Sequence, residues 1–476
     1  MKVKKKDMSE NCFKNLSPTN ELLPSVIDLF SGCGGLAYGF HSAGFQIAEG
    51  MDLSSAAVET ASYNLSWRFG VESHHRSGDI TQYTGHDFNS VPKKNGVVVI
   101  GGPPCQAYSQ VGRGKLRSLG KHREHTNDLR GQLYLDFLRI AFELDARAIV
   151  MENVPEAVNY GGLNVAEHVC ELLEEYGYLA AWTILNAADY GVPQVRERMF
   201  IIAIKKSEGL EPSFPAPTHH SAEGKTSAYK QRIPKLVSSS PHFHVPPEAP
   251  EEVTATWVTV YDALSDLPRL FPTSSSKYRL YEPNILLRYA SDPKNDYQRL
   301  MRGWTGSLLS QVSGHGYRRT VRDFPIFERM KPEDNFLAAS SIAETLLDQA
   351  CGAEGITEFN HPERYQLLRR KIVPPYSRGK FHDKWKRLNP DRPSHTLVAH
   401  LSVDTYSHIH PWEPRGISVR EAARLQSFPD DFLFQCNMGD AFRQIGNAVP
   451  PLLSQAIAGH LAKLFEDDSK ENRNWT

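Results

Sequence analysis

The chain has 476 residues, with 54 Lys and Arg against 55 Asp and Glu, 40% hydrophobic and 10% aromatic residues. This composition supports a large buried core and excludes a chain disordered throughout, and at roughly 150 residues per domain the length allows two or three units. A net charge of −1 gives no overall attraction to a polyanion, so nucleic-acid binding would need basic residues gathered on one face. No stretch approaches the roughly 18 apolar residues of a membrane span, and the Lys-rich start has no apolar run behind it. The expected location is the cytoplasm, without membrane association. Cys12, Cys33, Cys105, Cys170, Cys351 and Cys436 never form a CxxC pair, which fits reduced thiols rather than disulfides or a zinc site, and no metal is expected.

Residues 1–21 are polar and read as a frayed tail. From Leu22 to residue 206, apolar runs alternate with longer mixed segments: Val26–Phe30, Phe45–Met51, Val97–Ile100, Ala148–Met151, Leu179–Leu185 and Met199–Ile204. Buried strands alternating with helices predict an α/β fold with a doubly wound sheet over 22–206. Between Pro212 and Pro250 there are eight prolines in 39 residues, where 31 in 476 would give about 2.5. Such a stretch is expected to hold neither helix nor central strand, and marks a boundary. A second, smaller and more irregular domain is expected over 207–395, where periodicity is weak and no repeat occurs. Ile417–Leu425 and Pro451–Phe465 again predict helices within a final segment, 396–476, the last packing back on the first unit.

The strand run Val26–Phe30 passes directly into Ser31-Gly32-Cys33-Gly34-Gly35-Leu36. Small residues after a parallel strand let a ligand approach the backbone at the carboxyl edge of a sheet. The spacing is not GxGxxG, and a tight strand-to-helix turn explains the glycines equally well. Asp52 closes the second run, where a carboxylate accepts both hydroxyls of a ribose, and Gly78-Asp79-Ile80 adds an acid beside an apolar residue, suited to adenine. Taken singly, each acid also reads as a helix cap; together they suggest an adenosine-containing cofactor. The absence of GxxxxGK[ST] argues against ATP.

Val97–Ile100 runs into Gly101-Gly102-Pro103-Pro104-Cys105-Gln106, a stiff turn that presents one thiol. Arg113, Lys115, Arg117, Lys121, Arg123 and Arg130 follow against only Glu124 and Asp128, as suits a polyphosphate substrate, although a solvated basic loop would carry the same charges. Glu152, ending the run Ala148–Met151, is expected at the same sheet edge, where desolvation would raise its pKa and let it donate a proton to a ring nitrogen. In Gln194-Val195-Arg196-Glu197-Arg198, alternation puts both arginines on one face, free to fork to phosphate or a base oxygen or to pair with Glu152 or Glu197.

DLFSGCGG, GDIT, GGPPCQ, MENV, QVRER, RPSHT and QIGNAVP stand in the order found in cytosine-C5 DNA methyltransferases, which the chain resembles over 22–205 and 390–460. The resemblance implies a Rossmann-like methyltransferase domain, then a target-recognition domain, then a returning C-terminal segment. By the same resemblance Phe30, Gly32, Gly34, Gly35, Asp52, Asp79, Ile80, Pro104, Leu133, Asn447, Ala448 and Val449 line an S-adenosylmethionine site. Cys105, Glu152, Arg196 and Arg198 form the catalytic site, acting on a cytosine flipped out of double-stranded DNA. The acid that often follows the ribose-binding position by two residues is Ser54 here. A monomer of the bacterial modification-methylase type is expected, with a separately acting restriction endonuclease as a possible companion. Between 364 and 392, ten basic residues against Asp383 and Asp391 give a local +8 and a DNA face; Gly314–Arg319 reads equally as further base or phosphate contacts or as a solvated surface loop. A tRNA cytosine-C5 methyltransferase shares these motifs, but its CFT-containing segment is missing from 206–395. An inactive DNA-binding homologue would not need Cys105, Glu152 and both arginines, and a nicotinamide dehydrogenase would need the missing GxGxxG.

Overall fold

In the computed structural model, residues 20, 22–89, 93, 95–104, 133–159, 164–222, 233–253, 255–270, 283–318, 320, 322–375 and 384–473 are described, with 467–473 as backbone only. The first unit runs β1 (Ser25–Leu29), α1 (Gly35–Ser42), β2 (Ile47–Asp52), α2 (Ser55–Leu65), β3 (His75–Ser77), β4 (Val97–Gly101), α3 (Leu133–Glu143), β5 (Ala148–Asn153), α4 (Val165–Glu175), β6 (Tyr178–Asn186) and β7 (Glu197–Lys205). The middle of the chain holds α5 (Ile233–Ser239), α6 (Val260–Leu264), β8 (Leu287–Arg288), α7 (Asp296–Gly303), β9 (Gln311–Val312), α8 (Phe324–Arg329), α9 (Phe336–Glu354) and α10 (Pro362–Ile372). The end holds α11 (Val419–Leu425), α12 (Met438–Asn447) and α13 (Pro451–Arg473).

Seven strands form one sheet in the order β3-β2-β1-β4-β5-β7-β6. β1 to β5 run parallel, and β7 is antiparallel to both β5 and β6. β1 and β4 are buried at every position because helices cover both faces. Alternation sends Ile27, Val97, Val99 and Ile149 to one face, against Phe137 and Leu138 of α3 and Val169 and Leu173 of α4. Val26, Val98, Ile100 and Val150 face the other way, against Leu36 and Phe40 of α1 and Leu453, Ile457 and Leu461 of α13. The C-terminal helix therefore completes the core of the first unit.

All six expected strands are present with ends shifted by a few residues; the three-residue β3 has too little sequence for a pattern to show. The Pro-rich stretch does contain a helix, α5, contrary to expectation. Its Pro234 is the second helical residue, where a missing N–H leaves no bond unmade. Residues 251–395 are also more helical than their weak periodicity suggests. The buried face of the 19-residue α9 is Phe336, Ala339, Ser340, Ala343, Leu347 and Cys351, spaced as a helix but too small and polar to stand out. β7 turns back because only ten residues, 187–196, join it to β6, fewer than a parallel crossover requires. Among the described residues no helix is long and apolar enough to cross a membrane, and no cluster of side chains could hold a metal ion.

Candidate active site

The carboxyl ends of β1, β2 and β3 lie side by side in the sheet. Phe30, directly after β1, adopts φ 62°, and its ring packs with Ile80 on the same apolar cluster. A Cβ on Gly32 would meet nothing within 4 Å, so the backbone there is open to a ligand, whereas one on Gly35 would fall 2.6 Å from the Val449 carbonyl oxygen. Gly34 is packed too, against Ala61 and Leu65 of α2. Gly34 and Gly35 thus serve helix packing, and Gly35 lets the turn 446–449 lie against the start of α1.

Asp52 accepts N–H bonds from Gly32 (2.9 Å) and Ser54 (2.8 Å), one on each oxygen. A carboxylate has about four acceptor positions, so both oxygens can still take ribose hydroxyls. Burial raises its pKa, opposed by the Ser54 and Gly32 amides. Ser54 is the N-cap of α2, its hydroxyl accepting from the Ala57 amide, so it serves as a helix cap. The Gly78 amide donates to the Asp52 carbonyl, which sets Asp79 beside Asp52; Asp79 is exposed and caps the turn that buries Ile80. Leu53, directly after Asp52, is an apolar side chain left 76% exposed, which the motif reading overlooked. Its only sequence signal is its place next to Asp52. Asn447 is exposed at the end of α12, with Ala448 half-buried and Val449 buried. Pro104 is exposed and Leu133 half-buried at the two ends of a segment outside the described residues.

That segment contains Cys105 and the basic residues after it. Its anchor is visible: the Asn153 side-chain amide donates to the Pro103 carbonyl at 3.1 Å, and a Cβ on Gly102 would lie 2.9 Å from Glu152 Oε2. The turn before Cys105 is therefore held against Glu152. Arg198 Nε lies 3.0 Å from Glu152 Oε1, and both side chains are nearly buried. Burial raises the Glu152 pKa, opposed by Arg198 and, more weakly, Arg196. Arg198 also donates to the Glu197 carbonyl (2.7 Å).

Arg196 points elsewhere. It is fully buried and donates to the carbonyls of Leu397 (2.7 Å), Gly446 (3.0 Å) and Ala448 (3.1 Å). It ties the QVRER strand to the RPSHT and QIGNAVP segments, and the structure separates it from Arg198 rather than pairing the two for a substrate.

Residues 25–463 match the sequence profile of the C-5 cytosine-specific DNA methylases. The chain belongs to that family. The protein M.OihORF3336P of Oceanobacillus iheyensis is 53% identical over 448 residues, covering 94% of this chain and 96% of that one. The type II methyltransferase M.AgeI of Thalassovita gelatinovora is 32% identical over 454 residues, covering 91% and 98%. A solved structure of a prophage-encoded E. coli protein shares the fold with a TM-score of 0.61 at 24% identity, over 93% of this chain and 99% of that one.

The methylase's basic stretch is less free than its sequence suggests. Arg364 pairs with Glu354, Arg369 with Glu344, Lys384 with Asp404 and Arg392 with Glu333. Arg387 is buried on the carbonyls of Phe327, Met330 and Pro411. Arg378 and Lys380 lie outside the described residues, so the local +8 overstates the charge offered to DNA. The Gly314–Arg319 segment is likewise packed inward as far as it is described, Arg319 lying outside. His315 is buried between Ser418 (2.8 Å) and the Pro268 carbonyl (2.7 Å), and Arg318 donates to the Ser402 carbonyl. Burial of partners from distant segments leaves no local sequence signal.

Proposed function

We propose that the enzyme is a type II modification methylase that transfers methyl from S-adenosylmethionine to C5 of a cytosine in a specific duplex sequence through a covalent bond from Cys105 to C6. The observation that carries this reading is the Glu152–Arg198 pair at 3.0 Å, set against the turn that leads to Cys105. The name of M.AgeI supports the modification role.

C5 and C6 are shielded in a duplex, so the target base must leave the stack. The Cys105 thiolate adds to C6, and the C5–C6 electron pair shifts toward N3, where Glu152 supplies a proton. Arg198 holds O2 and offsets charge in the ring. Asp52, Leu53, Asp79 and Asn447 hold the cofactor through its ribose, adenine and neighbouring polar groups; the open backbone at Gly32 fits that role. When bound, S-adenosylmethionine supplies the electrophilic methyl group. Loss of the C5 proton to a base restores the C5–C6 double bond and expels the thiolate from C6, and N3 gives its proton back to Glu152. Residues 207–395 select the target sequence, and the enzyme works as a cytoplasmic monomer, separately from any cognate endonuclease.

DNA bearing 5-fluorocytosine at the target tests the mechanism, because fluorine cannot leave as a cation and the adduct persists. With S-adenosylmethionine the parent should give a denaturant-resistant band of higher mass, absent for Cys105→Ser. Equal trapping by Cys105→Ser, or normal methylation without trapping, overturns the reading. Bisulfite sequencing of a plasmid from expressing cells identifies the target.

A further inference from the structure

Beneath the turn that presents Asn447 lies a closed ring of buried hydrogen bonds. Gln194 and Gln426 are both fully buried, so every polar atom of their amides needs a partner. The Leu397 amide donates to Gln194 Oε1 (2.8 Å), which turns the Gln194 NH2 group toward Gln426 Oε1 and the Leu425 carbonyl (3.1 Å). Gln426 must then face Ala448 with its own NH2, and it donates to that carbonyl at 2.6 Å. Arg196 donates both to the Ala448 carbonyl and back to the Leu397 carbonyl, which closes the ring. Every bond from Leu397 to Ala448 runs in one donor direction, fixed by a backbone N–H at one end and a carbonyl at the other. Of the side chains in the ring, Gln426 is the one that lies outside the motifs read from sequence.

We propose that Gln426 is a positioning residue, setting the cofactor-side turn Gly446–Val449 relative to the strand that carries Arg198. Arg196 alone cannot fix that turn, since both of its contacts there come from one nitrogen. The inference rests on the S-adenosylmethionine reading above. Gln426→Met removes both polar contacts of the side chain. Gln194→Glu removes the NH2 group, so Gln426 turns over and sets oxygen against the Ala448 carbonyl, though residue 426 is unchanged.

Calorimetric titration of the full chain with S-adenosylhomocysteine tests this. Both variants should bind roughly five- to tenfold more weakly than the parent, while kcat at saturating S-adenosylmethionine stays within about threefold. A merely structural role would lower the melting temperature and leave the affinity of the folded fraction alone. Affinities within about twofold of the parent in both variants overturn the proposal. If Gln426→Met does not fold, Gln194→Glu carries the comparison; if neither folds, the ring is a folding element and the positioning role is overturned. A parent that binds no S-adenosylhomocysteine instead refutes the cofactor reading itself.

Discussion

Arg198 Nε stands 3.0 Å from Glu152 Oε1 at the carboxyl edge of the sheet, although the two residues come from strands of opposite direction. The ion pair orients a carboxyl group whose pKa burial raises, against the opposing charge of Arg198.

Glu152→Gln should lower kcat by about 10²- to 10⁴-fold, the usual range for a lost proton donor, with S-adenosylhomocysteine affinity unchanged. Because the active form of Glu152 is protonated, the parent rate should fall as pH rises through the folded pKa. The variant should lack that limb. Rate profiles of both proteins check this, and a limb shared by both would remove Glu152 as the donor.

Gly102→Ala places a methyl group 2.9 Å from Glu152 Oε2 and pushes the turn before Cys105 away from the carboxyl group. A displacement of this size should reduce the rate of covalent trapping by roughly ten- to a hundredfold. Trapping kinetics on 5-fluorocytosine DNA provide the measurement. Unchanged kinetics would mean that the turn does not need its present distance from Glu152.

Asp52→Ala removes the acceptor for the Gly32 and Ser54 amides as well as for ribose. Affinity for S-adenosylhomocysteine should weaken by about 1 to 3 kcal/mol, and the melting temperature should fall too. A lower melting temperature with full affinity would assign Asp52 to the loop alone.

His395 and His408 stack with ring centres 3.9 Å apart. Burial, with Lys386 nearby, pulls His395 down to about 4, opposed by the Ser407 carbonyl. Burial and His395 lower His408 well below the usual imidazole range. Both rings are therefore neutral when folded. Their contribution to stability is present above the unfolded value near 6.5 and is lost as pH falls toward 4. The drop in melting temperature between pH 7 and pH 5 should be smaller in His408→Phe than in the parent. Equal drops would place the acid sensitivity elsewhere.

Local pattern alone makes the strands, the Gly-rich turn after β1 and the polar ends of β2 and β5 legible, because a buried strand needs an unbroken apolar run. The QVRER arginines show the limit of that reading. Alternation puts Arg196 and Arg198 on one face, yet one reaches Glu152 and the other three backbone carbonyls from segments 201 to 252 residues away. The short β6–β7 connection forces β7 antiparallel, which brings its first residues, rather than its last, to the edge where β5 ends. Only the packing of α13 and the 397 and 446–448 segments beneath β7 supplies the carbonyls that hold Arg196. The sequence by itself determined the family motifs and the candidate residues they contain; strand direction and long-range burial decided which of them meet, because hydrogen-bond partners hundreds of residues apart impose no periodicity on the chain.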